Sequence, residues 1–178
     1  MSLTYSPLSE TVISSSVASV SFSLGNGFNT YQVICSGLST DNTSSTNNRL
    51  RYRVSDDNGS TFESGSNYWS NGERKGQSLN TGEGATENNG GNQLKTEGSL
   101  FRYSQDAKTN VGCNLFIYGA NDNNLTCITS FAYGGSATSS AVGYVVSVYD
   151  QTDVVTDIQL FWEYGNITSG KIKVIGLY

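Results

Sequence analysis

The chain has 178 residues, 36% hydrophobic and only 14% charged, and its 10 Lys+Arg against 15 Asp+Glu give a net charge of −5. That length suits a single domain, 1–178, able to bury a core without disulfide or metal staples. An acidic chain with no basic block has no electrostatic footprint for nucleic acid or an anionic membrane, and the absence of histidine removes Ser-His-Asp and Cys-His pairs, an imidazole base and zinc-His sites.

From Met1 onward there is no basic-then-apolar leader, so no secretory signal is expected and folding is expected in a cytoplasm. Period-two alternation then dominates, beginning with Ala18, Val20 and Phe22 and continuing through Tyr31, Val33 and Cys35. Arg49-Leu50-Arg51-Tyr52-Arg53-Val54 sets three cations on one face against three apolar groups on the other, a strand with one wet side. It leads into Asp56-Asp57-Asn58-Gly59, where Asn-Gly predicts the two positive φ values of a type I′ hairpin turn. Residues 70–98 break the rhythm with Asn, Gly, Glu, Ser and Thr and hardly an apolar residue, which predicts a long polar loop or excursion. Two readings stay open for it, a mobile surface loop and a segment ordered by a neighbouring subunit.

Further strands are predicted through Val111, Cys113, Leu115 and Ile117, then, after an Asn121-Asp122-Asn123-Asn124 turn, through Leu125, Cys127, Thr129 and Phe131. Val142, Tyr144, Val146 and Val148 form the next run, followed by Ile158, Leu160 and Trp162, and finally by Ile172 and Val174 between lysines. No window repeats at the helical period. The pattern predicts an all-β, antiparallel two-sheet sandwich, jelly-roll-like, of about eight or nine strands. Val54, Leu115, Ile128 or Phe131, Val146 and Leu160 are expected in its buried layer, and Cys35, Cys113 and Cys127 are expected as buried thiols.

Candidate chemistry is sparse. Paired carboxylates can hydrolyse glycosides without histidine, but only Asp157 and Glu163 flank the apolar face of a strand, and no motif joins them. The oxygen-rich turns at Asp56-Asp57-Asn58-Gly59 and Asn121-Asp122-Asn123-Asn124 lack calcium-loop spacing and are explained by the tolerance of Asn and Asp for left-handed backbone. Tyr68-Trp69, with Arg74 and Lys75 in the polar stretch behind and Tyr103 and Tyr118 elsewhere, can contact a protein partner or a glycan. Rings in a sandwich more often anchor a core or an interface. No catalytic residue, metal ligand or cofactor site is assigned.

Taken together, Val17-Ala18-Ser19-Val20-Ser21-Phe22, Tyr31-Gln32-Val33-Ile34-Cys35-Ser36-Gly37, Leu50-Arg51-Tyr52-Arg53-Val54 and the closing Val155-Thr156-Asp157-Ile158-Gln159-Leu160, Gly165-Asn166-Ile167-Thr168-Ser169-Gly170 and Lys171-Ile172-Lys173-Val174-Ile175-Gly176-Leu177 resemble single-domain β-sandwich virion surface proteins of tailed bacteriophages. The resemblance implies a head decoration, head-fibre or tail-fibre-knob protein without catalytic residues. It implies partners that are copies of itself, with a trimer favoured, and other virion proteins. With no fibre shaft ahead of the sandwich, the expectation is a capsid decoration, cement or head-fibre component located in the virion. The alternative is a tail-fibre-type adhesin for a receptor or a host-surface glycan.

Overall fold

Val, Ile, Tyr, Phe and Thr at alternate positions fit a pleated, half-covered surface, while Gly, Asn and Ser gather where the chain must turn. The computed structural model describes residues 5–25, 27–42, 47–78, 84–88, 91–104, 109–135 and 139–178. Among them thirteen strands and no helix are found. In chain order these are β1 (Tyr5–Ile13), β2 (Ser19–Ser23), β3 (Thr30–Thr40), β4 (Asn47–Ser55), β5 (Tyr68–Ser78), β6 (Gly84–Asn88), β7 (Gly91–Lys95), β8 (Gly98–Ser104), β9 (Thr109–Tyr118), β10 (Thr126–Gly135), β11 (Ser139–Tyr149), β12 (Asp157–Trp162) and β13 (Ile167–Leu177).

The strands form two antiparallel sheets. The large sheet has nine, in the order β1-β13-β3-β9-β10-β11-β5-β6, with β7 also on β5; the small sheet has four, β2-β12-β4-β8. Successive strands shuttle between the sheets, β2 to β3, β3 to β4, β4 to β5, β7 to β8, β8 to β9, β11 to β12 and β12 to β13, which is the winding of a jelly roll. The expected sandwich is therefore present, with thirteen strands in place of eight or nine. Part of the excess is β1 at one rim of the large sheet and β5 to β7 at the other.

Residues 70–98 correct the loop expectation, since most of the segment is strand. Apart from 79–83 and 89–90, which lie outside the described residues, it forms most of β5, then β6 and β7. Backbone pairing does not need apolar side chains, and β5 is held along its whole length by β11, from Tyr68↔Tyr149 to Ser78↔Ser139. On its inner side hydroxyls replace a greasy layer. Ser70 and Ser147 share a 2.7 Å hydrogen bond, Tyr52 Oη donates to Ser147 Oγ at 2.8 Å, and the Ser99 N–H donates to Ser70 Oγ at 3.0 Å. The network ties the rim of the large sheet to β4 and β8 of the small one.

The turn after β4 is a second correction. Asn58 and Gly59 both take positive φ, 59° and 77°. They do not close a hairpin, because β4 belongs to the small sheet and β5 to the large one.

Between the sheets lies one core that includes Val20, Phe22, Val33, Leu50, Val54, Leu115, Ile128, Leu160, Trp162, Ile172 and Val174. Each fully buried aliphatic side chain contributes roughly 1.5–3 kcal/mol. Val54, Leu115, Ile128 and Leu160 are buried as expected, but Phe131 and Val146 are not: 55% and 44% exposed, they point away from the core. All three cysteines are free; Cys35 and Cys113 are cross-strand partners inside the core, whereas Cys127 is half-buried. Burial pushes the Cys35 thiol up to about 12 and raises Cys113 well above its usual value, which makes both inert.

Candidate functional site

The two outer faces of the sandwich differ in chemistry. On the small sheet, β4 presents the predicted cations. Arg51 reaches Glu163 at 3.0 Å, Arg53 reaches Glu97 at 3.3 Å, and the Arg53 guanidinium lies 5.0 Å from the centre of the Phe161 ring. That face is charged, and among its described residues Arg49 and Arg51 share Glu163 while Arg53 meets Glu97.

The outer face of the large sheet carries an apolar stripe across its middle. Its register follows from the inward residues of β10, since Ile128, Ser130 and Ala132 are buried and Cys127, Thr129, Phe131 and Tyr133 therefore point out. β11 pairs with β10 through Thr129↔Val146, Phe131↔Tyr144 and Tyr133↔Val142, so these three partners also point out. Phe116 and Tyr118 of β9 adjoin on one side and Trp69 of β5 on the other. The result is a stripe of half-exposed rings and valines centred on β9, β10 and β11.

Two polar tips within the stripe, those of Tyr144 and Trp69, are fastened down. Tyr144 Oη donates to Glu73 Oε2 at 3.4 Å, Lys75 Nζ is 3.8 Å from Glu73 Oε1, and Trp69 Nε1 donates to Asp150 Oδ2 at 3.3 Å. Phe116 and Tyr118 stack with centroids 6.3 Å apart. The Tyr133 ring lies over Gly112, where an added Cβ would stand 2.3 Å from a ring carbon, so glycine is what lets the ring lie flat. Between Phe131, Val142, Tyr144, Glu73 and Lys75 is a shallow depression of about 180 Å³. An apolar, pre-ordered surface edged by charge is what a protein contact requires.

The sequence-predicted contact residues divide. Trp69 and Lys75 lie on this face, both exposed. Tyr68 does not: it is fully buried, which corrects its reading as an exposed contact. Its hydroxyl accepts from the Val54 N–H at 3.0 Å and donates to the Glu63 carbonyl at 3.0 Å, and its ring packs edge-on against Tyr52 at 5.5 Å. Burial raises its phenol above the ordinary value. Arg74 pairs with Gly143 and Glu87 along the backbone, and its side chain lies outside the described residues, as does that of Tyr103. Tyr118 joins the stripe.

The remaining candidates stay apart or are occupied. Asp157 and Glu163 are six positions apart along one extended segment, roughly 20 Å, beyond the 5–9.5 Å or so that glycoside hydrolysis needs. Asp57 is bound by Thr61 and Ser55, and Asn121 donates to the Phe28 carbonyl and to Tyr31 Oη. No three His, Cys, Asp or Glu side chains gather into a metal-binding group among the described residues.

Sequence reasoning missed Phe131, Tyr133, Val142, Tyr144 and Val146 as surface residues. Their signal was an apolar alternation whose opposite phase, Gly143, Val145 and Ser147 in β11, is itself small or apolar. No family model, no curated protein and no solved structure matches the chain.

Proposed function

We propose that the chain is a non-enzymatic structural protein of a phage particle, of the capsid decoration, cement or head-fibre kind, working through subunit contacts. The observation that carries this is the apolar stripe on the outer face of the large sheet, opposite a small-sheet face that carries the arginines of β4 and their ion pairs to Glu163 and Glu97. A surface of that kind has a higher free energy in water than when covered by another protein. The phage context comes from the strand-and-turn resemblance at both ends of the chain. Its partners on this reading are copies of itself and other virion proteins, with folding in the host cytoplasm and the particle as destination. Mass spectrometry of purified particles produced by the genome that encodes the chain should find it in stoichiometric, repeated copies; particles without it overturn the proposal.

A second reading, a tail-fibre-type adhesin, is favoured by one observation. The Trp69 indole is fastened at its edge to Asp150 and is 39% exposed, which leaves ring surface for stacking on a sugar. On that reading a glycan array gives a signal that Trp69→Ala removes, and a blank array excludes it.

A further inference from the structure

We infer that the outer face of the large sheet is a two-fold, face-to-face contact between two copies of this chain; the inference rests on reading that face as a contact surface and adds the identity of its occupant. The pairing registers run in line across six strands. Lys173 of β13, Ile34 of β3, Asn114 of β9, Phe131 of β10, Tyr144 of β11 and Glu73 of β5 are successive Cα partners in one row. The row continues to Glu10 of β1 beside Lys173 and to Asn88 of β6 beside Glu73, so a cation and an anion stand second from its two ends, and its midpoint falls in the gap between β9 and β10.

A two-fold axis along that gap, parallel to the strands, exchanges β9 with β10, β3 with β11 and β13 with β5. Lys173 then lies over Glu73 of the second copy, Ile34 over Tyr144, and Asn114 over Phe131. Two rows further along, Leu177 lies over Trp69 by the same operation. Lys173 has no ion pair among the described residues, and the other flanking lysines, Lys171 and Lys75, already have Glu10 at 3.1 Å and Glu73 at 3.8 Å. A face that has to meet a different protein has no need to complement itself, whereas an isologous contact requires it. Sheets also stack face to face at about 10 Å with strands within roughly 30° of one another, the geometry this axis produces.

The area is of the right size. The part-exposed rings of Phe131, Tyr133, Tyr144, Tyr118 and Trp69, with the valines beside them, present on the order of 600 Å² of apolar surface, taking roughly 200 Å² for a whole aromatic side chain. That is the upper end of the largest patch on a monomer, about 300–600 Å². A stable pair buries roughly 800 Å² per partner, so the contact also has to take in the flanking strands.

The test is sedimentation velocity on the full chain over a concentration series. A dimer is expected. Phe131→Lys should shift it to monomer with an unchanged circular dichroism spectrum and a melt that stays cooperative but loses its dependence on protein concentration, and Tyr133→Lys serves as a second variant should the first fail to fold. Lys173→Glu and Glu73→Lys should each weaken association about fivefold to tenfold, and the double reversal should recover most of the loss. A monomer at every concentration, a trimer, a dimer indifferent to both face variants, or a double reversal no tighter than the singles overturns the inference. A monomer that is still found in purified particles removes the two-fold contact alone, and a dimer missing from particles removes the virion reading alone.

Discussion

Asp57 holds the passage from the small sheet to the large one. Its carboxylate accepts from the Thr61 N–H at 2.9 Å, from Thr61 Oγ1 at 2.7 Å and from Ser55 Oγ at 2.7 Å, while Asn58 and Gly59 turn the chain with positive φ. Those donors, the Thr61 amide first, pull the carboxyl from its usual 3.8 down to about 2. Because the folded value lies below the unfolded one, the stabilisation is complete above about pH 4 and fades as pH falls toward 2. Asp57→Ala should therefore lower the urea midpoint at neutral pH and flatten its decline between about pH 4 and 2. A variant that declines as steeply as the parent would show that other carboxylates carry the acid sensitivity. Tyr68 acts in the same region through its hydroxyl, which bridges β4 and the chain at Glu63. Nothing at sequence level separated it from its neighbour Trp69; only strand parity sends one ring inward and the other out.

β11 is where side-chain pattern and register disagree. Its outward phase carries Val142, Tyr144, Val146 and Val148, and its inward phase Ala141, Gly143, Val145, Ser147 and Tyr149. By apolar content alone the first set belongs in the core. The pairing with β10 decides otherwise, because Ser147 is consumed by Tyr52 and the Trp69 carbonyl, and Tyr149 packs on Tyr68 at 5.4 Å. Val145→Ala should cost about 2 kcal/mol in urea unfolding, and Val146→Ala less than about 0.5 kcal/mol when measured on monomer. Equal costs would mean that the strand is inverted. β4 was legible because three arginines cannot enter the apolar core and turn to the outer face, where Arg51, only 6% exposed, meets Glu163. The facing of β10 and β11 was not, because both phases of each strand are apolar or small. β5 to β7 were illegible for the opposite reason: rim strands of Gly, Asn and Ser are held by backbone pairing and buried hydroxyls, which leave no apolar rhythm to read.

At the scale of the whole molecule, the fold closes by joining its ends. β1 pairs with β13 and β2 with β12, so strands at the start of the chain find their partners only after most of it exists. Such non-local pairing makes folding slow, in the millisecond-to-second range typical of all-β domains. β13 has the largest share of that closure. It lies between β1 and β3, pairs with both, and sends Ile172 and Val174 into the core. A chain ending before Ile167 would lose those two side chains, bare one edge of β3 and release β1 altogether. An exposed apolar edge beside an already apolar outer face leaves two surfaces for disordered association. The expected outcome for the chain truncated after Asn166 is loss of the cooperative melting transition and aggregation, whereas removing Tyr5–Ile13, a rim strand with one neighbour, should leave a lower but still cooperative transition in circular dichroism. A cooperative melt in the truncated chain would show that β3 and the strands after it fold without their neighbour, and that closure through the chain ends is not what holds the large sheet together.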